Sequence, residues 1–252
     1  MGSMSSSEAE ASPELLEEYK QWKALGAGGI AFDWYGFMFC KNAAATIARN
    51  DTTNLTLYES PELYAKGWKE ATPAQREAAR TSFVGNLPER VGPRVRAKPF
   101  VFPQRERNED EPQDEQIRAA YQAAFDRLGE ANANMEWKTS VLEKHGPALF
   151  LGDTFLPVTP LAEYTKGEVC HIHLTDLSGH VTLSFADAAQ VIEKGWGERH
   201  KLSGTDWLHL GYTMVFVPRN MEEVAVYTRI YQAGIDFMKS GHHERSDSVW
   251  DP

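Results

Sequence analysis

The chain is short of cysteine and of positive charge, and each shortage excludes a class of protein. Its 252 residues include two cysteines, Cys40 and Cys170, which are too few and too far apart for a disulfide framework or a cysteine-based zinc knuckle. A reducing compartment is therefore expected. The formal net charge of -10 argues against a general affinity for nucleic acid, because phosphate binding needs a basic surface. The expected partners are small molecules or proteins.

Long apolar runs are also missing. The most apolar stretch, residues 30–48, is interrupted by Asp33 and Lys41 and falls short of the roughly 20 apolar residues that a membrane span needs. It predicts a buried helix or a surface resting on a membrane, and no stable insertion. The opening MGSMSSSEAEAS lacks the features of a signal peptide, so residues 1–12 are interpreted as a cloning remnant and a disordered leader. The expected location is cytoplasmic, with peripheral membrane association as the alternative.

Residues 13–240 are interpreted as one domain, which is helical upstream and sheet-forming downstream. The 42% of hydrophobic residues is ample for a core. Capped helix starts stand at Ser12, Thr72 and Asp114. The apolar pattern after the last of these continues to about residue 146, so the helical part is predicted to end there and the sheet to occupy 147–240.

The downstream part alternates short strands with helices. Strands are predicted at 148–151, 155–158 and 212–217, and helices at 185–194 and after Asn220. This order favours an α+β fold with a mainly antiparallel sheet, packed by flanking helices. Residues 241–252 are predicted to be a flexible tail, whose His242 and His243 are not expected to be ligands.

Three histidines stand together near the start of the sheet region. With the two-residue period of a strand, His171 and His173 share one face and Cys170 takes the other. A four-residue loop at 175–178 would place His173 opposite His180, and paired residues point to the same side of a sheet. The pattern therefore predicts a hairpin whose three imidazoles converge on one ligand.

Two kinds of chemistry suit these three rings. Histidines titrate near neutral pH, so they can take a proton from an acidic enol or phenol, and the resulting carbanion can pass an electron to oxygen. The same rings can instead hold one divalent metal ion, as in β-structured iron or zinc enzymes. Against the metal, Asp176 falls in the predicted turn and strand alternation assigns Glu168 to the opposite face. Both interpretations stay open.

Other candidates follow the hairpin. Arg199 is a candidate for holding a developing anion, and His200 is a further candidate catalytic group. Trp196 is interpreted either as a pocket wall that contacts substrate or as a core anchor after a helix end. Tyr212 is a candidate substrate-binding aromatic residue.

A locally basic strip stands out against the acidic chain at residues 87–107. One interpretation is a solvated connecting segment. The other is a clamp in which Arg94 and Arg105 bind the carboxylate or enolate of a substrate.

Several motifs resemble those of one known family. HxH, SGHVTLS, KGWGERH and YTMVFVPRNMEEV, dense from about residue 168 to residue 239, closely resemble the luciferase-domain family, to which fungal bioluminescence luciferases belong. Weaker likeness at LGAGG and NLPERVGPRVR extends the resemblance to most of the chain.

This resemblance implies an enzyme that acts on an enolisable phenolic, pyranone or polyketide-like molecule; it does not imply light. The fungal luciferases oxidise a hydroxylated styryl-pyranone with molecular oxygen, through a cyclic peroxide, and are thought to need no organic cofactor. Because no membrane span precedes the matched region, a soluble relative in secondary metabolism is expected. The alternatives are a lyase, isomerase or cyclase using the same histidines, a histidine-ligated metal enzyme, and a non-catalytic binding protein.

Overall fold

An antiparallel sheet forms the centre of the molecule, seen in a computed structural model that describes residue 8 and residues 10–240. Its six strands are β1 Met135–Thr139, β2 Pro147–Leu151, β3 Glu168–Ile172, β4 Gly179–Thr182, β5 Gly197–Arg199 and β6 Tyr212–Val215. They lie in the order β1-β2-β3-β4-β6-β5, and all neighbouring pairs are antiparallel. The predicted α+β class with a mainly antiparallel sheet is confirmed.

Helices dominate the first half of the chain, as predicted. They are α1 Pro13–Lys23, α2 Trp34–Thr46, α3 Thr56–Glu59, α4 Pro61–Tyr64, α5 Pro73–Arg80, α6 Glu115–Ala131, α7 Phe185–Glu193 and α8 Met221–Lys239. The side chains of Ser12, Thr72 and Asp114 each accept a backbone N–H of the helix that follows, and Asn220 does the same for α8. These caps satisfy N–H groups that have no partner within a helix.

Two of the predicted boundaries are wrong. The helical pattern was expected to reach residue 146, but α6 ends at Ala131 and residues 135–139 form the edge strand β1. Packing decides this, because Trp137 of β1 lies against Gly129 of α6, where an added Cβ would be 2.6 Å from the indole nitrogen. The strand expected at 155–158 is also absent. Pro157 cannot donate to a sheet, and the segment holds the end of a short 3-10 helix, Asp153–Phe155.

Helices cover one face of the sheet. Helix α8 packs on β2, β3 and β4, and α6 packs on α8. Cys170, Ile172 and Val181 point into this core. The histidines alternate to the other face, where a second apolar cluster forms from α1, α2 and later segments, with members that include Trp22, Trp34, Phe37, Val101 and Tyr212.

Helix α2 is the apolar stretch that predicted a buried helix or a membrane-resting surface. It buries Trp34, Phe37 and Cys40, whereas Tyr35 is exposed. Over residues 10–240, no helix combines the length and the apolar character that crossing a membrane requires. The predicted tail, with His242 and His243, and most of the predicted leader lie outside the described residues.

Candidate functional site

The three histidines of the hairpin converge as predicted, but in a different register. His171, not His173, pairs with His180 across β3 and β4. The loop is longer than expected, since the His173 N–H donates to the Ser178 carbonyl at 2.8 Å and closes a six-residue turn in which Leu177 has a φ of 65°. A shift of two residues keeps every side chain on its own face, so the predicted cluster survives the error.

Glu168 reaches the same cluster because β3 carries a bulge. Leu149 of β2 pairs with Cys170, but the next residue, Phe150, pairs with Glu168, so the strand has one extra residue at this point. The extra residue reverses the alternation beyond it. The assignment of Glu168 to the opposite face was therefore wrong: its Oε1 lies 2.6 Å from His171 Nδ1.

One nitrogen of each ring points to a common centre. His171 Nε2 lies 3.2 Å from His173 Nε2 and 3.3 Å from His180 Nδ1, and the last two are 3.2 Å apart. All three rings are buried.

The other nitrogen of each ring has a partner outside this triangle. His171 Nδ1 donates to Glu168, and His173 Nδ1 donates to Ser178 Oγ at 3.0 Å. The Ser178 hydroxyl itself donates to Asp176 at 2.8 Å. His180 Nε2 lies 3.4 Å from the Gln104 Oε1, whose amide nitrogen is held by a backbone carbonyl. Acceptors thus surround the cluster, and they assign the ring protons to the outer nitrogens.

A buried ion pair borders the triangle. Arg105 Nη2 donates to Glu143 Oε2 at 2.8 Å, and Arg105 Nη1 donates to His173 Nε2 at 3.0 Å. Glu143 Oε1 lies 3.7 Å from His173 Nε2. Arg105 therefore lies beside the histidine cluster, where it is held by a carboxylate of the protein.

Burial controls the protonation of these groups. It lowers the pKa of His173 and of His180 well below the usual value, and the neighbouring cations and rings lower both further. It also lowers the pKa of His200 to about 3. Although burial opposes it, the Arg105 guanidinium lowers the pKa of Glu143. At neutral pH the rings of His173, His180 and His200 are uncharged and the Glu143 carboxyl group is ionised.

A cavity of about 330 Å³ opens beside the cluster. Its walls are mainly apolar, and its polar groups include Glu143, His180, His200 and Tyr212. The Tyr212 ring stacks on His180 with centroids 4.9 Å apart, and His200 lies 5.5 Å from His180. At the rim, the half-exposed rings of Phe39 and Trp207 contact each other. A small aromatic molecule in this cavity would touch His180 directly.

The predicted site residues divide into two groups. The structure brings His171, His173, His180, His200, Tyr212 and Arg105 together. The remaining three, Arg199, Trp196 and Arg94, lie elsewhere. The Arg199 guanidinium is bound by backbone carbonyls, including those of Asp51 and Ser203.

Trp196 and Arg94 bind backbone groups of the surrounding fold. The Trp196 indole donates to the Pro88 carbonyl and the ring packs against Tyr227, as the core-anchor interpretation describes. Arg94 donates to the Ile192 carbonyl. Neither side chain lines the cavity.

Glu143 and Gln104 are site residues that the sequence interpretation missed. Glu143 was assigned to a helix end, although the S-x-x-E spacing from Ser140 does mark a turn, in which the Glu143 N–H donates to Ser140 Oγ. Gln104 precedes Arg105 in the proline-rich strip, where periodicity gives no direction to a side chain.

The segment that carries the histidine hairpin is also the segment that matches a known protein family. Residues 166–234, which contain the histidine hairpin, match the family model described as "Luciferase domain". The resemblance to the luciferase-domain family is confirmed. The luciferases of Armillaria gallica and Armillaria mellea are each 30% identical over 173 residues, which cover 61% of this chain and 61% of the relative.

A third relative aligns over more of the chain. The luciferase of Neonothopanus nambi is 24% identical over 242 residues, covering 90% of this chain and 82% of that protein. The aligned part of the chain spans 61% of the length of the Armillaria luciferases. No solved structure matches it. The similarity to these proteins therefore extends beyond the segment that carries the histidine hairpin.

Proposed function

We propose that this chain is a luciferase-like enzyme of secondary metabolism that oxidises an enolisable phenolic or pyranone molecule with molecular oxygen. The observation that carries the proposal is the mainly apolar cavity beside the histidine cluster, whose polar lining residues are Glu143, Lys144, His180, His200 and Tyr212. Ligand sites commonly combine apolar walls with a few convergent polar groups and perturbed titratable side chains. The likeness to proteins named luciferase supports the reaction class.

His200 has the protonation needed to bind an enolate. Its Nδ1 accepts the Leu202 N–H at 3.1 Å, so in the neutral ring the proton sits on Nε2. Burial holds the pKa of this ring at about 3, so it stays neutral at physiological pH. The Nε2–H is then a hydrogen-bond donor for the oxygen on which negative charge develops.

The reaction needs a proton acceptor and an acceptor of electrons. The enol or phenol proton passes to an unprotonated ring nitrogen of the histidine cluster, of which His180 reaches the cavity wall. Because burial lowers the pKa of His180, the ring holds this proton only until it is returned to the product. An electron pair of the resulting carbanion forms the bond to dioxygen, so the carbon is oxidised and dioxygen is reduced to the peroxide level. The proton returns to the terminal oxygen, which balances the step as formation of a hydroperoxide.

Oxygen uptake tests the proposal. Hydroxylated pyranones and phenols are supplied to the purified chain in an oxygen electrode, with their O-methyl ethers as controls that lack the acidic proton. Uptake is expected with the free enols alone, and His200→Gln should lower kcat/KM by about 100-fold, as loss of an oxyanion donor does. His209→Gln is the matched control, since His209 is equally buried and bonds Thr182 without lining the cavity.

The outcomes separate the alternatives. Substrate turnover without oxygen consumption would replace the oxidation by a lyase, isomerase or cyclase reaction in the same pocket. Equal activity of His200→Gln and His209→Gln would remove the assigned role of His200. A complete lack of turnover across the panel would count against enzymatic action on this substrate class.

A further inference from the structure

We propose that His171, His173 and His180 bind one divalent first-row transition-metal ion, with Glu143 as the candidate fourth ligand. The proposal deepens the proposed function, on which its catalytic meaning rests. It takes up the metal interpretation that the sequence left open. The four residues offer ligand atoms that all lie within 4.8 Å of one another, and all four are buried.

The spacing of the ring nitrogens fits a metal. A triangle with sides of 3.2, 3.2 and 3.3 Å has a point about 1.9 Å from every corner. Zinc-to-histidine bonds are about 2.0–2.1 Å long, so an ion bound to all three rings would sit roughly 0.8 Å out of their plane. That position leaves one side of the ion open for further ligands.

The hydrogen bonds around the rings favour a cation at the centre. Glu168, Ser178 and Gln104 accept the protons of the outer nitrogens, so three lone pairs converge on one point. Neutral imidazoles in this arrangement repel one another unless a cation or a shared proton lies between them. Metal-binding histidines characteristically donate their second N–H to a carboxylate or other acceptor in this way.

The net charge of the buried groups around the rings also favours a bound cation. Among the described side chains, three carboxylates lie within 4.0 Å of the nitrogens of these rings, those of Glu143, Glu168 and Asp176. The one guanidinium in contact with them is that of Arg105. The buried cluster therefore carries a formal charge of -2, which one divalent ion would neutralise. Buried charges are costly unless they are paired or coordinate a metal.

The ligand set indicates the class of ion. Imidazole nitrogens suit zinc, copper, iron and nickel, whereas magnesium and calcium prefer oxygen ligands. His180 and Glu143 also line the cavity, so the open side of the ion is accessible to a substrate oxygen. There the ion would act as a Lewis acid that stabilises an enolate. Because it would occupy the inward ring nitrogens, it would replace their role as proton acceptor rather than add to it.

Arg105 can accommodate the ion. In the structure its Nη1 donates to His173 Nε2, which a metal would use instead. The guanidinium keeps other acceptors, namely the carbonyls of Gln104 and Ala27 and the Glu143 carboxylate. Loss of one contact therefore leaves Arg105 paired.

Cobalt titration tests the site without any assay of activity. The purified chain is stripped with a chelator and titrated with Co²⁺, whose ligand-field absorption in the visible range reports nitrogen coordination. Saturation near one ion per chain is expected. His180→Gln and His171→Gln should each weaken binding by at least about 100-fold, the upper end of what loss of even an outer partner causes. His209→Gln should bind cobalt as the unchanged protein does.

The unmodified protein alone can overturn the proposal, whether or not the variants fold. The site does not exist if the unmodified, folded chain shows no ligand-field bands with Co²⁺ and if its melting temperature is the same with and without Co²⁺, Zn²⁺ and Fe²⁺. Equal weakening by His209→Gln would also overturn it. Cobalt binding without oxygen uptake would keep the metal site and remove the proposed oxidation. Undiminished oxygen uptake by stripped protein would keep the oxidation and remove any catalytic role for the ion.

Discussion

Replacing Glu168 by glutamine isolates the contribution of the carboxylate beneath His171. This side chain is 1% exposed and accepts bonds from His171 Nδ1 at 2.6 Å, the Val141 N–H at 2.8 Å and the Ser140 hydroxyl at 2.9 Å. Glutamine has the same shape but places an NH2 group where one of these donors needs an acceptor. One donor is thus left facing another donor.

The stability cost follows from these bonds. A hydrogen bond to a charged group contributes about 1.5–3 kcal/mol, and a buried donor without an acceptor adds its own desolvation penalty. We expect Glu168→Gln to lower the free energy of unfolding by about 2–4 kcal/mol. For a chain of this size that is a fall in Tm of roughly 4–16 °C. The loss should be measurable in urea unfolding followed by circular dichroism.

Cobalt affinity of the same variant distinguishes a lost orientation of His171 from a general loss of stability. Glu168 fixes the proton of His171 on Nδ1, so its loss should weaken Co²⁺ binding by about 10–100-fold. Glu198→Gln is the matched control, because Glu198 is 2% exposed and accepts three comparable bonds, from Arg96, Thr52 and Ala97, away from the cluster. If both variants lose stability and neither loses cobalt affinity, the reasoning about His171 is refuted.

Three further predictions concern other parts of the fold. Although burial opposes it, bonds from Arg219 and Arg90 lower the pKa of Glu223 to about 2. The ionised carboxylate therefore stabilises the fold fully above about pH 4.5, and this stabilisation is lost as the pH falls toward 2. In urea unfolding, Glu223→Gln should cost about 2 kcal/mol at pH 7 and roughly 1 kcal/mol at pH 3, where a carboxyl group with this pKa is still mostly ionised. Gly234→Ala places a methyl group 2.5 Å from a valine methyl of β4, so its Tm should fall with a loss of about 1–3 kcal/mol. Trp207→Ala removes a half-exposed ring from the cavity rim and should raise KM for aromatic substrates by about threefold to tenfold with little change in kcat.

Local signals in the sequence were enough to place most of the elements. The caps at Ser12, Thr72, Asp114 and Asn220 are decided within one turn of a helix, so the chain near them determines the result. The strand at 135–139 was missed because its identity depends on packing against α6. Contacts between distant parts of the chain override a local periodicity that suits either a helix or a strand.

In the candidate site too, features set by neighbouring residues could be predicted, and features set by distant contacts could not. The shared face of His171, His173 and His180 follows from strand alternation, which a two-residue change of register leaves intact. The position of Glu168 depends on one extra residue in β3, and alternation cannot anticipate a bulge. Arg105 and Glu143 come from irregular segments, whose side-chain directions have no period to reveal them.

The side chains of the candidate site come from distant parts of the chain. Residues 166–234 include the three converging rings. Gln104 and Arg105, by contrast, arrive from a strip some 70 positions upstream, and Glu143 from the turn before β2. The Asp176 carboxylate also joins the hairpin loop to the backbone of Glu106 at 3.1 Å. An excised copy of the matched segment would therefore keep its imidazoles with Glu168 and Asp176. It would lose Gln104, Arg105 and Glu143 together with part of the cavity wall, so the smallest unit that holds the complete site extends well beyond residues 166–234.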